Sequence, residues 1–355
     1  MRIRLLIWFC LGLLLFMLGR WGQYVMLGRW GQHGLFRLAL PAMAQTTIPS
    51  DSAVSAVYQI DIDGTNLTTL ASDLTVGDRS YWSPDGQYLA TIVQQDELQQ
   101  LYIVSADGTQ SQQVLSDFSG TYRGPAWSPD GQKLATVIRQ DDSSDLYVLD
   151  LPSGEVINLT QDAEINDLTA PAWSPDGQRI VYSCGRNGMG LCTIESDGQS
   201  RQSIASSRFP NSLQWSPDGQ KIAFTSSIGN DSYVSVVNAD GSNSIGLSAL
   251  SGSAQDFNAV WAPDSQRLAI DALEGLVLIN ADGTDRRVIS LHGSQPLWLP
   301  DGNQLVFLRS NEIWRVNTDG TALTQITDFF AEQEIESFIG LVEGQQLVLL
   351  VRQTS

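Results

Sequence analysis

A tryptophan-led pentapeptide returns along this chain at nearly constant intervals, and that periodicity restricts the fold more than any other feature. It reads Trp82-Ser83-Pro84-Asp85-Gly86, Trp127-Ser128-Pro129-Asp130-Gly131, Trp173-Ser174-Pro175-Asp176-Gly177 and Trp215-Ser216-Pro217-Asp218-Gly219. It continues as Trp261-Ala262-Pro263-Asp264-Ser265 and Trp298-Leu299-Pro300-Asp301-Gly302. A second turn signal alternates with it, at Asp63-Gly64, Asp107-Gly108, Asp197-Gly198, Asp240-Gly241, Asp282-Gly283 and Asp319-Gly320, with Pro152-Ser153-Gly154 in the remaining slot. Two tight turns in every repeat of about 40–45 residues imply four strands per unit, which is the sequence signature of a propeller blade.

The turn chemistry agrees with that reading. Proline pre-sets φ at the second turn position, aspartate follows, and glycine takes the left-handed position of a type I turn with a G1 bulge. The strand before each turn ends in Trp, and the strand after it is apolar, as in Leu134-Ala135-Thr136-Val137. Strands that are apolar on both faces need sheets on both sides, and blades around an axis supply them. The tryptophans are therefore expected to pack between neighbouring blades.

Six units begin at the six tryptophans. A seventh hairpin follows, in which Gly340-Leu341-Val342-Glu343-Gly344-Gln345-Gln346-Leu347 aligns with Trp298-Leu299-Pro300-Asp301-Gly302-Asn303-Gln304-Leu305. It supplies two strands; the missing two are expected near Val57–Ile62 and Leu67–Leu70. The predicted fold is all-β: a seven-bladed β-propeller of four-stranded blades, the last closed by N- and C-terminal strands. Such closure removes the open sheet edges that invite aggregation. The domain reading is 1–44 signal peptide or N-terminal membrane anchor, 45–54 linker and 55–355 propeller.

These elements resemble the TolB-type (WD-like) propeller repeat of bacterial envelope proteins, which also forms the propeller in front of the hydrolase domain of prolyl-oligopeptidase-like peptidases. The resemblance covers the chain after residue 55 and implies the fold. Function is implied far less, because propellers host many activities.

The leader points to export. Met1-Arg2-Ile3-Arg4 precedes an apolar run from Leu5 to Leu18, the pattern of a secretory signal. A helix over that run would span only about 21 Å, short for a bilayer. Ala42-Met43-Ala44 offers a cleavage site well beyond it. Cleavage after Ala44 and retention as an anchor both remain open, so the expected location is periplasmic or otherwise extracytoplasmic. Cys184 and Cys192 lie on two strands joined by a glycine-rich loop. Aligning that hairpin with the others sets Cys184 opposite Leu191, which leaves a disulfide and two half-buried thiols as alternatives.

Charge and composition narrow the function. The formal net charge is −19, and the five arginines of residues 1–50 face no acid. The acidic remainder repels phosphate backbones, which argues against a nucleic-acid partner. No G-x-S-x-G nucleophile elbow occurs, and the two histidines are His33 and His292, so no enzyme is expected. No cofactor is expected either, although Ca²⁺ on loop carboxylates would accompany an alternative carbohydrate- or small-ligand-binding role. The connections that do not repeat carry acids and aromatics on a rigid scaffold, where binding usually resides. Asp141, Asp142, Asp145, Phe209, Phe257, Phe329 and Phe330 are the candidate residues for a protein or peptide partner in the envelope. Tyr122 and Phe118 are also expected to be exposed there. The propeller is expected to act as a monomer.

Overall fold

The computed structural model describes residues 53–353, apart from connecting segments at 77–78, 96–97, 141–142, 162–168, 186–188, 209, 229–230, 251–258, 273, 328–332 and 343–345. The leader and linker expectations therefore lie outside the described residues. Among those residues every regular element is a strand, and the strands form seven four-stranded antiparallel sheets.

Six sheets are built from consecutive strands and span residues 79–114, 121–158, 172–205, 211–250, 259–290 and 294–325, blades one to six. The first strands of successive blades touch one another, for example Arg79–Trp82 with Thr121–Trp127 and Asn211–Trp215 with Ala259–Trp261, so they form the inner ring. Blade seven runs, from outside to inside, Thr68–Val76, Ala53–Asp61, Gln346–Gln353 and Gln333–Val342. Its middle pair joins the two ends of the propeller, with Ser55 opposite Arg352 and Asp61 opposite Gln346. The closure inferred from the sequence is thus present.

One detail of the seventh hairpin differs. Its register sets Leu341 opposite Leu347, as Trp298 stands opposite Leu305. Leu341, rather than Gly340, occupies the tryptophan slot, because this hairpin's turn is one residue shorter than those containing Pro and Asp.

The core is a set of apolar layers, one in each seam between blades. Ala90, Leu101 and Ile103 of blade one meet Leu134, Ile138 and Tyr147 of blade two in one buried cluster, and similar clusters fill the other seams. The tryptophans also contribute polar links. Trp127 Nε1 donates to the Tyr81 carbonyl at 2.9 Å, Trp173 to Ala126 at 3.0 Å and Trp215 to Ala172 at 3.2 Å. Trp261 donates to Gln214 at 3.3 Å and Trp298 to Val260 at 3.0 Å. Each acceptor is the residue just before the preceding blade's tryptophan, so in these five seams the indole N–H finds the same backbone oxygen.

Candidate functional site

The strand order divides the propeller into two chemically different faces. Turns between first and second strands, and between third and fourth, lie on one face. Connections from second to third strand, and from blade to blade, lie on the other.

The first face is uniform. In four blades the serine of S-P-D-G is buried, and its hydroxyl donates to the turn aspartate while accepting the N–H that opens the next strand. Ser174 Oγ lies 2.5 Å from Asp176 Oδ1, and Arg179 N lies 2.9 Å from Ser174 Oγ. The same aspartate oxygen accepts Gln178 N–H at 3.0 Å. The hydroxyl of Ser174 and the N–H of Gln178 hold the Asp176 carboxyl below its ordinary pKa. Glycine in this turn has the expected positive φ, 68° at Gly177, and in the fifth blade Ser265 adopts 59° in its place. The second turn type is equally fixed: Asp107 Oδ1 accepts from the Ser105 hydroxyl, the Thr109 N–H and the Thr109 hydroxyl. These aspartates bond within their own turns, which makes them parts of the frame.

The second face does not repeat. Of the seven candidate residues, Asp145 is described; Asp141, Asp142, Phe209, Phe257, Phe329 and Phe330 lie outside the described residues. Asp145 stands within the third strand of blade two, Ser143–Asp150, and is half-buried. Its carboxylate accepts from the Thr160 hydroxyl at 2.9 Å, and Thr160 Oγ1 accepts Leu146 N–H at 2.9 Å. Glu312, Thr327 and Ile313 make the same arrangement in blade six. Asp145 therefore pins its strand to the chain that follows the fourth strand. The recurrence of Leu159-Thr160 as Ile326-Thr327 was the sequence signal for this clamp.

The structure corrects the reading of Tyr122 and Phe118. Tyr122 is 2% exposed, and its hydroxyl donates to the Leu115 and Phe118 carbonyls at 3.0 and 3.2 Å. Burial pushes its pKa up to about 12. Phe118 packs edge-on against Tyr147, with ring centroids 4.9 Å apart. The reason is a bulge. Tyr122 and Trp127 are five positions apart, which would set them on opposite faces of a regular strand. The register shifts between Arg123 and Ala126, around Gly124 at φ 51°, and both rings enter the same cluster. A side chain at Gly124 would collide with Ala170, since its Cβ would lie 2.1 Å from the Ala170 Cβ.

Cys184 and Cys192 form a disulfide with Cα atoms 5.8 Å apart. The hairpin sets Cys184 opposite Gly190 and Tyr182 opposite Cys192. The cysteines are therefore diagonal neighbours on one face of the sheet, one register step from the alignment made on sequence. The bond closes the base of the connection at residues 185–191 on the variable face. Exposed apolar side chains nearby in kind are Leu98, Met189 and Leu291, at 51%, 47% and 65% exposure. His292 is exposed and adopts φ 60°. Among the described residues no group of three or more His, Cys, Asp or Glu side chains could hold a metal ion.

Comparison with known proteins places this geometry. Residues 30–191 match the family described as the TolB beta propeller domain. No curated protein matches the chain. Among solved structures, TolB from Acinetobacter baumannii aligns at 19% identity and TM-score 0.49 over 67% of this chain and 64% of its own length, so less than two thirds of that protein is spanned. An oligogalacturonate lyase from Vibrio parahaemolyticus aligns at 15% identity and TM-score 0.51 over 71% of this chain and 79% of its own. Hydrazine synthase from Kuenenia stuttgartiensis gives 18% identity and TM-score 0.53 over 77% and 86%. Similarity of this order to proteins so different in name speaks for architecture alone. The chain is thus a seven-bladed β-propeller, and its segment 30–191 is similar to the TolB beta propeller domain.

Proposed function

We propose that this propeller is a non-catalytic, extracytoplasmic scaffold that binds a protein or peptide through its variable face. One observation carries the proposal: the fixed, internally bonded turns occupy one face, and the non-repeating connections occupy the other. Evolution of a binding surface is easiest where a rigid frame presents connections that the frame does not need. By sequence those connections are acidic and aromatic, with Asp141-Asp142, Phe209, Phe257 and Phe329-Phe330 among them. Their chemistry suits a cationic segment that also offers apolar side chains, and steering by opposite charge would speed its capture. Asp145 supports the face by holding blade two in register instead of meeting the partner.

The location rests on the Cys184–Cys192 bond, which suits an oxidising compartment, and on the signal-like Leu5–Leu18 run. Membrane association through that leader, and action as a monomer, belong to the same proposal. The test is crosslinking capture from envelope fractions, membrane and soluble kept separate, with Asp141→Lys/Asp142→Lys and Phe329→Ala/Phe330→Ala variants. Loss of a captured partner with unchanged melting is the expected result. Capture of every partner at undiminished yield would overturn the assignment of this face.

A further inference from the structure

Five of the hairpins that open onto the variable face are minimal. Gln95 stands opposite Leu98, Gln140 opposite Ser143, Ile228 opposite Asp231, Ala272 opposite Gly275 and Arg309 opposite Glu312. Two residues connect each pair of strands, and a two-residue turn fixes its own geometry. Blade three differs. Cys184 stands opposite Gly190, so Gly185 to Met189 form a five-residue connection, and the Cys184–Cys192 bond closes its base. The ladder from Arg179 with Glu195 to Cys184 with Gly190 already sets the two strands. What the bond adds is a fixed take-off for a connection that no tight turn determines.

A second tie acts beside it. Ser183 Oγ accepts the Thr169 N–H at 2.7 Å, and the Thr169 hydroxyl donates to the Pro210 carbonyl at 2.9 Å. Pro210 is the last residue of the connection that leaves blade three after Ala205, and Ala205 stands opposite Leu191. Met189 lies two residues before Leu191 and Arg208 three after Ala205, beyond the same end of this strand pair. Both side chains are exposed, Met189 at 47%. Arg208 also contrasts with its face. By sequence the bases among the variable-face connections are Arg186 and Arg208, both at blade three, whereas Asp96-Glu97 and Asp141-Asp142 typify the rest. Arg186 lies outside the described residues.

We propose that Met189 and Arg208 form a recognition point for a partner segment in which a carboxylate stands beside an apolar side chain. The inference rests on the peptide-binding reading above and sharpens the partner's chemistry. A guanidinium pairs with a carboxylate through two parallel donors, and the unbranched thioether of methionine adapts to an apolar neighbour. Holding both on a fixed base lowers the ordering cost of binding. On a face whose other connections are acidic, a largely cationic segment with one such carboxylate binds in one direction, its acid at blade three.

A displayed library of random peptides, selected on the immobilised full-length protein, tests this. The selected peptides should be cationic overall and yet share an Asp or Glu beside a Leu, Met or Phe. For a synthetic peptide of that sequence, Arg208→Glu should weaken binding about tenfold or more, the factor expected from one charge-assisted bond, and Arg208→Lys should weaken it less. Met189→Ser and Cys184→Ser/Cys192→Ser should each weaken it severalfold. A peptide with Lys in place of the acid should bind Arg208→Glu more tightly than it binds the parent, a gain that misfolding of the variant does not produce. Selected peptides that share no acid would overturn the recognition point and leave the reading of the face in place. Indifference to Arg208→Glu, to Met189→Ser or to loss of the disulfide would do the same. A library that yields no binder of the parent would remove both.

Discussion

The indole N–H of Trp173 donates to the carbonyl oxygen of Ala126, 3.0 Å away, and Ala126 immediately precedes Trp127, which makes the same bond one blade earlier. The tryptophan that marks each repeat therefore does two things at once. It fills the seam with apolar surface and ties the inner strands of adjacent blades. Trp173→Phe keeps most of the ring and removes the donor, so it should cost about 1 kcal/mol beyond any packing loss. Trp82→Phe removes a donor with no partner among the described residues and should cost less. Urea unfolding of the two variants side by side measures the difference, and equal losses would show that packing alone matters.

Ser174 makes a comparable contribution on the turn face. It is fully buried, donates to Asp176 and accepts from Arg179 N–H. Ser174→Ala should destabilise the protein by about 1–2 kcal/mol, because two bonds are lost in a site that water does not refill. It should also release the Asp176 carboxyl toward its ordinary pKa, which carboxyl NMR titration would detect. A silent variant on both counts would remove the serine from the frame.

The blade count, the four-stranded units and the shared seventh blade were legible in the sequence because each rests on local turn chemistry, such as Pro129-Asp130-Gly131, repeated at fixed spacing. Features set by contacts between repeats were harder to see. The slot of Leu341 was misplaced by one residue because a shorter turn leaves the flanking strands looking alike. Tyr122 reads as a connection residue from sequence, whereas it stands in the strand Thr121–Trp127, where the bulge at Gly124 turns its ring into the seam. Asp145 reads as a loop acid because its partner, Thr160, lies fifteen residues on, just past the fourth strand of the blade. The candidate surface itself was legible only as a contrast, in the connections that fail to repeat.

The Cys184–Cys192 bond closes a short connection between two strands that already pair. A loop of this size corresponds to about 2–3 kcal/mol of unfolded-state entropy. Reduction, or Cys184→Ser/Cys192→Ser, should therefore lower the melting temperature measurably without abolishing the fold, since the hairpins of the other blades contain no cysteine. Thermal melts with and without reductant decide it. Unchanged melting would mean that the hairpin is held by its ladder alone.

Acid should undo the turn face in a predictable direction. The Ser105 hydroxyl, with the N–H and hydroxyl of Thr109, holds the Asp107 carboxyl below its ordinary value. Thr321 does the same for Asp319, and Thr284 for Asp282. A carboxyl whose pKa is lower in the folded state stabilises that state fully above the unfolded value, about 3.9, and loses the contribution as pH falls through the folded value. The melting temperature should thus stay level from neutral pH to about 5 and fall below about 4. Asp107→Asn removes one such group, so its melting temperature should lie below that of the parent at pH 7. The gap should shrink as pH drops and close once the parent's carboxyl is protonated. Melting curves of parent and variant between pH 2 and 7 read this convergence, and a constant gap would assign the role of Asp107 to turn geometry instead of charge.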